Sequence, residues 1–207
     1  MSYFPMFIEL KDQCCLVVGG GMVAFRKVKV LKEFGAKVLV IAPEIMPEIQ
    51  VQTEIICKER EMELSDLNGQ KLVVAATNNK SLNHEIAKIC RAKNIPVNAV
   101  DQIEDCSFIF PAYLKQGEVV AAFSSGGNSP VITQYLKEET RSLVTRQLGD
   151  LADCLGGLRE EVKRCIPTEA ERKQVYLKLL EIGLTQKELP SKEQIQQLIA
   201  NPPLPKR

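Results

Sequence analysis

Three consecutive glycines, Gly19-Gly20-Gly21, separate a short apolar run, Cys14 to Val18, from a stretch patterned as a helix. Between Val23 and Phe34, Ala24, Val28 and Leu31 recur at helical spacing, and Gly35 stands where a left-handed C-terminal cap belongs. A buried strand, a tight turn and an amphipathic helix form half of a crossover unit, which needs parallel neighbours. Lys37 to Ile41 reads as the next strand. Lys71 to Ala76, after the Asn68-Gly69 turn, reads as a third. It leads into a helix opened by Ser81, with Leu82, Ile86 and Ile89 on one face. Pro96 to Val100 is a fourth strand, ending at Asp101.

Beyond residue 106 the pattern changes. Ser107 to Phe110 and Glu118 to Phe123 read as a hairpin joined around Gln116-Gly117. Ser129-Pro130 then starts a helix with room to run to Gly149. Leu151, Leu155, Leu158 and Val162 mark another helix, ending before Pro167. Thr168 with Glu171 reads as a capping box for one more, stopping at Gly183, and the tail from Asn201 to Arg207 is expected to fray. The expected architecture is an α/β fold: a Rossmann-like parallel sheet in residues 1–112, a β-hairpin/helix dimerisation module in 113–149 and a small C-terminal helical domain in 150–207.

Composition narrows the function. Twenty-seven Lys and Arg against twenty-six Asp and Glu argue against binding nucleic acid or an anionic membrane by bulk electrostatics. Seven cysteines without a C-x-x-C pair read as reduced, mostly buried thiols. With His84 the single histidine, a zinc site or Cys/His pair has little to be built from. The N-terminus lacks a basic stretch before an apolar core, and no apolar run nears the ~20 residues that span a bilayer. The expected location is the cytoplasm.

Leu16-Val-Val-Gly-Gly-Gly-Met-Val-Ala24 contains G-x-G-x-x-A from Gly19, Gly21 and Ala24, placed between a strand and a helix as a dinucleotide fingerprint requires. Gly19 permits the turn, Gly21 lets a pyrophosphate approach the backbone, and Ala24 keeps the helix close to the sheet. The amides at Met22 and Val23 then face the phosphates. The bland alternative is a glycine turn without a ligand. Glu44, after the second strand, is the candidate acid for the adenosine ribose; a carboxylate there favours NAD over NADP. Thr77 and Asn78 follow the third strand at the edge where such sheets bind ligands, a place equally suited to an ordinary helix-initiating turn.

Asp101 ends a strand at the same edge, where a carboxylate faces both a nicotinamide and a substrate or simply shapes a turn. A second glycine loop, Ser124-Ser125-Gly126-Gly127-Asn128-Ser129-Pro130, offers amides for carboxylates, or else only a flexible helix cap.

The segments GGGMVAFRKVKVL, AATNN, VNAVDQIEDCSFIFPA and FSSGGNSPV, in this order and spacing, resemble the precorrin-2 dehydrogenase and sirohydrochlorin ferrochelatase family, the module that begins siroheme synthases. The resemblance covers about residues 1 to 150; the helical continuation agrees in layout more than in sequence. It departs at Asn78, where the family commonly has an acid, and at Ala99, where it has a second aliphatic residue. The resemblance implies NAD-dependent oxidation of precorrin-2 to sirohydrochlorin, in many members followed by insertion of ferrous iron to give siroheme. It implies that Asp101 is the catalytic carboxylate, that Gly19, Gly21 and Ala24 hold the cofactor, and that Ser124 to Ser129 lie near the substrate. It also implies a homodimer formed after the Rossmann part. The chain is too short to carry the uroporphyrinogen methyltransferase module, so a separate protein is expected to supply precorrin-2.

A substrate with eight carboxylates needs cations, and Arg26, Lys27, Lys29, Lys115 and Arg141 are candidates, each also read as a solvated surface charge. Tyr113, Tyr135 and Tyr176 have no lysine four positions later, which removes the Tyr-Lys pair of short-chain dehydrogenases. The rival from another class is a non-catalytic NAD-sensing regulatory module, which would need the first glycine loop but not Asp101 beside a second one.

Overall fold

In the computed structural model, which describes residues 3–204, the apolar run Cys14–Val18 is strand β1, paired in parallel along both edges. Helix α1 (Met22–Glu33), β2 (Lys37–Ala42), the short α2 (Pro47–Gln50), β3 (Ile55–Glu59), β4 (Leu72–Ala75), α3 (Lys80–Ala92) and β5 (Val97–Ala99) follow. The sheet is wholly parallel, in the order β3-β2-β1-β4-β5. Because the chain leaves β1 toward β2 and later returns to its other side at β4, the carboxyl end of β1 is the switch point of the topology.

Side-chain alternation in β1 splits the core in two. Cys15 and Val17 pack with Ala24, Val28 and Leu31 of α1; Leu16 and Val18 pack with Ile86, Ala87 and Cys90 of α3. A strand buried on both faces reads as a continuous apolar run, which is why β1 was visible in the sequence. Gly35 closes α1 at φ +76, and its amide donates to the Lys32 carbonyl at 2.8 Å, the expected left-handed cap.

Several expectations for this unit are corrected. β3 went unread: it is a sheet edge with Ile56 63% exposed, so neither alternation nor continuous burial marks it. Helix α3 is opened by Asn79, whose side-chain oxygen accepts from the Leu82 amide at 3.1 Å; Ser81 lies within the first turn. β5 stops at Ala99, and Asp101 lies two residues beyond it. Ser107 to Phe110 is not a strand. Phe108 and Phe110 pack on the α1 side of the core, their centroids 5.3 Å apart, and the backbone contact to β5 is a single bond, from the Ser107 amide to the Val97 carbonyl at 2.8 Å, rather than a ladder.

The chain divides into two compact units at Phe110/Pro111. The second opens with the antiparallel hairpin β6 (Ala112–Gln116) and β7 (Val119–Phe123), turned by Gly117 at φ +57. Helices α4 (Pro130–Thr140), α5 (Arg146–Gly157), α6 (Arg159–Cys165), α7 (Glu169–Gln186) and α8 (Lys192–Ala200) follow. The helix expected to reach Gly149 ends at Thr140, and Thr145 caps a new one by accepting from the Leu148 amide at 3.2 Å. A module boundary at 149/150 would cut α5, whose Gly149 lies so close to the hairpin that an added Cβ would sit 2.6 Å from the Gln116 carbonyl oxygen. The helix expected from Leu151 to Val162 splits at Leu158, after the weak helix formers Gly156 and Gly157.

Thr168 caps α7 through the Glu171 amide at 3.3 Å, but the Glu171 carboxylate takes the Thr168 hydroxyl rather than its amide, so the box is only half formed. Helix α7 runs through Gly183, because the missing side chain makes room for Leu151. Helix α8, with a complete Ser191–Gln194 capping box, was not anticipated. Val162, Ile166, Val175 and Leu179 form the core of this helical part. The expected frayed tail begins at Asn201, and its residues 205–207 lie outside the described residues. Of the seven cysteines, Cys15, Cys90 and Cys106 are buried, whereas Cys14 and Cys165 are exposed, so fewer are interior than expected. Among the described residues no helix is long and apolar enough to cross a membrane.

Candidate dinucleotide site

The three glycines after β1 do three different things. Gly19 has φ +128, and a Cβ there would lie 2.3 Å from the Ala76 carbonyl oxygen; its amide donates to the Ile41 carbonyl at 2.9 Å. Gly20, to which the sequence reading gave no task, is the tightest, since a Cβ would meet the Glu44 carbonyl oxygen at 1.9 Å. Gly21 is the N-cap of α1 at φ −92, ψ −170, with nothing within 4 Å of the Cβ position. Having no side chain, it caps no amide. The amides of Met22, Val23 and Ala24 therefore point out of the helix end without acceptors among the described residues, and the first turn carries no acid. Met22 and Val23 expose their side chains, while Ala24 is fully buried against the sheet. An open cradle of free amides at a positive helix end has the geometry and polarity that a pyrophosphate needs.

The other predicted edge residues lie beyond the carboxyl ends of their strands. Glu44 follows β2 and is exposed. Thr77 follows β4: its hydroxyl donates to Asn83 Oδ1 at 2.6 Å, its amide donates to the same oxygen at 3.2 Å, and Asn83 Nδ2 donates back to the Thr77 carbonyl at 3.0 Å. Asn83, 1% exposed, was missed; a polar residue inside the apolar stripe of α3 was the available signal. Asn78 is exposed. Asp101 is exposed and holds φ +59, a left-handed conformation that Asp tolerates better than most side chains.

Four of the five candidate cations have other contacts. Lys27 stacks its ammonium 3.8 Å from the Phe110 ring centroid, and burial pulls its pKa below the usual lysine value. Lys29 sits over Phe25, Arg141 forms a two-point pair with Glu138 at 2.7 Å, and Lys115 also has a partner. Arg26 is exposed on α1.

In the second unit, the loop from Ser124 to Pro130 is largely self-bonded. The Gly126 amide donates to Ser124 Oγ at 3.0 Å, the Ser129 amide to Ser125 Oγ at 2.9 Å, and the Asn128 amide to the Ser125 carbonyl at 3.2 Å. Ser129 caps α4 through the Ile132 amide at 3.4 Å. Gly126 and Gly127 take φ +66 and +89. The groups left to face outward include the Gly127 amide and the Ser124 and Asn128 side chains.

A switch-point glycine loop with free helix amides, flanked by Glu44 and Thr77, defines the first unit as a dinucleotide-binding α/β domain. Residues 6–112 match the family model described as "Putative NAD(P)-binding". The chain belongs to that family, and its cofactor is a nicotinamide dinucleotide.

Siroheme synthase of Thioalkalivibrio sulfidiphilus is 39% identical over 189 residues, covering 90% of this chain and 39% of its own length. That of Psychrobacter sp. is 37% identical over 187 residues, covering 87% and 38%. The chain thus spans about two fifths of the length of these curated relatives. Among solved structures, SirC, a precorrin-2 dehydrogenase, superposes with a TM-score of 0.70 at 23% identity, covering 96% of this chain and 98% of that one, which bears out the expected fold.

Proposed function

We propose that this protein oxidises precorrin-2 to sirohydrochlorin with NAD as hydride acceptor, in the cytoplasm. The observation that carries the reading is the relationship to siroheme synthases across nine tenths of the chain, both units included. The free amides of Met22 to Ala24 hold the pyrophosphate and Gly21 leaves it room. Glu44 takes the ribose hydroxyls and disfavours a 2′-phosphate. Thr77, fixed by Asn83, and the exposed Asn78 border the cofactor beyond β4. The bound nicotinamide supplies the hydride acceptor.

Removing two hydrogens as hydride and proton leaves a proton to be taken up. Asp101, an exposed carboxylate beyond β5, is the proton acceptor. The Gly127 amide and the side chains of Ser124 and Asn128 contact substrate carboxylates; Ser125, Gly126 and Ser129 shape that loop. Sirohydrochlorin is then a substrate for ferrous iron insertion on the same chain. A uroporphyrinogen methyltransferase supplies precorrin-2.

The protein acts as a homodimer. Helix α4 exposes Val131 (77%), Ile132 (55%) and Tyr135 (61%), an apolar face suited to a second copy. Sedimentation at micromolar concentration checks this, and a clean 23.1 kDa species refutes it.

The decisive experiment is anaerobic incubation with precorrin-2 and either NAD or NADP, followed by ferrous iron, with spectra at each stage. Sirohydrochlorin formed faster with NAD supports the reading. NAD binding without turnover turns the protein into a sensor, and siroheme formed no faster than the uncatalysed control limits it to the oxidation.

A further inference from the structure

Asp105 is a carboxylate buried to 3% exposure in the connection that follows Asp101. It closes the 3-10 turn Ile103–Asp105, and both its oxygens lie 2.9 Å from Nδ1 of His84 on α3. Gln102 Nε2 donates to it at 3.1 Å, and Arg91 Nη1 stands 3.9 Å away. Arg91 also donates to the Glu104 carbonyl. Since the carboxylate accepts, Nδ1 of His84 carries the hydrogen.

Burying a carboxylate is costly, and here a second cost accompanies it: Gln102 turns its amide nitrogen to Asp105 and leaves Oε1 buried without a partner. An apolar side chain would fill the position without the first of these costs. What apolar packing cannot supply is direction. The bond to His84 and that of Arg91 to the Glu104 carbonyl tie the turn to α3, and the Gln102 bond closes the turn on itself, while the Val100 amide to the Ala75 carbonyl (2.9 Å) and the Ser107 amide to the Val97 carbonyl (2.8 Å) tie both flanks to the sheet. Between these anchors sits Asp101 at φ +59, a backbone conformation that persists when its surroundings over-determine it.

We propose that His84 is a positioning residue, acting through Asp105 to hold the left-handed turn that aims the Asp101 carboxylate. The inference rests on the reading of Asp101 as proton acceptor. It assigns a task to the only histidine, which the reaction as proposed does not otherwise use.

The test compares His84→Ala, His84→Asn, whose Nδ2 replaces the Nδ1–H donor, and the apolar pair His84→Leu/Asp105→Leu. Turnover of precorrin-2 and hydrogen exchange of residues 100–106 in the free protein are measured on each. His84→Ala is expected to lower kcat by roughly ten- to a hundredfold, the scale of a misplaced reacting group, with KM for NAD unchanged and faster exchange in that segment. His84→Asn restores both. The Leu pair melts near wild type yet keeps the low kcat. Full kcat in His84→Ala or in the Leu pair overturns the proposal. Asp101→Asn runs in parallel: if it retains full turnover, the reading of Asp101 has failed, whereas loss there with wild-type kcat in His84→Ala means that only the positioning role has failed.

Discussion

Gly20 and Gly21 are adjacent, yet the structure gives them opposite sensitivities. At Gly21 a side chain meets open space and an extended backbone that any residue adopts, so Gly21→Val should fold. Exchanging glycine for valine at an N-cap costs up to about 1 kcal/mol, or a fall in Tm of roughly 2–4 °C for a chain of this size. The isopropyl group then occupies the space through which a pyrophosphate reaches the amides of Met22 to Ala24. Losing two charge-assisted bonds at about 1.5–3 kcal/mol each weakens NAD binding by more than ~100-fold.

Gly20→Ala reverses this, because its Cβ would sit 1.9 Å from a backbone oxygen that cannot swing aside. Overpacking of that kind costs about 1–3 kcal/mol or more. Isothermal calorimetry with NAD and thermal melts on the two variants separate the effects. If Gly21→Val binds NAD within threefold of wild type, the phosphate lies elsewhere and the reasoning is refuted.

Gly183→Ala should destabilise, because its Cβ falls 2.8 Å from Cδ2 of the buried Leu151, and crowding of about 1–3 kcal/mol outweighs the ~1 kcal/mol helix preference for alanine. In a Leu151→Ala background the sign should reverse, which a double-mutant cycle in urea would show. Arg60 hydrogen-bonds Asp66 at 2.6 and 2.8 Å and holds its carboxyl below the usual aspartate value. The resulting stability is present above about pH 4 and lost as pH falls through the lowered folded value, so Asp66→Asn should cost more at pH 7 than at pH 3; equal losses refute it. Burial pushes the thiols of Cys15 and Cys90 up to about 11, so at pH 8 an aromatic disulfide should label the exposed Cys14 and Cys165 well before either, as read by peptide mass.

What was legible in the sequence was what neighbours along the chain decide. β1, α1 and its Gly35 cap follow from an apolar run, a helical period and a glycine, and Glu44, Thr77 and Asp101 follow as residues beyond strands. Features decided by distant partners were not. Phe108 and Phe110 alternate like a strand but lack a ladder, and Gly183 looked like a helix stop until Leu151 was placed beside it. Within the site, Gly20 depends on the Glu44 backbone, Asn83 on Thr77, and Asp105 on a histidine twenty-one residues earlier.

The two glycine loops show why composition alone misjudges anion sites. Both precede a helix, and both read as donors of backbone amides. In the first, the N-cap has no side chain and three successive amides remain free among the described residues, which suits a ligand bound through the main chain. In the second, serines at 124, 125 and 129 consume the Gly126, Ser129 and Ile132 amides, and Pro130 removes another donor at the first helical position. The serines that made that loop look ligand-seeking are what satisfy it internally. Its outward groups include the Gly127 amide and two side chains, those of Ser124 and Asn128. Such a loop suits the directional contact of a single carboxylate better than the enclosure of a pyrophosphate.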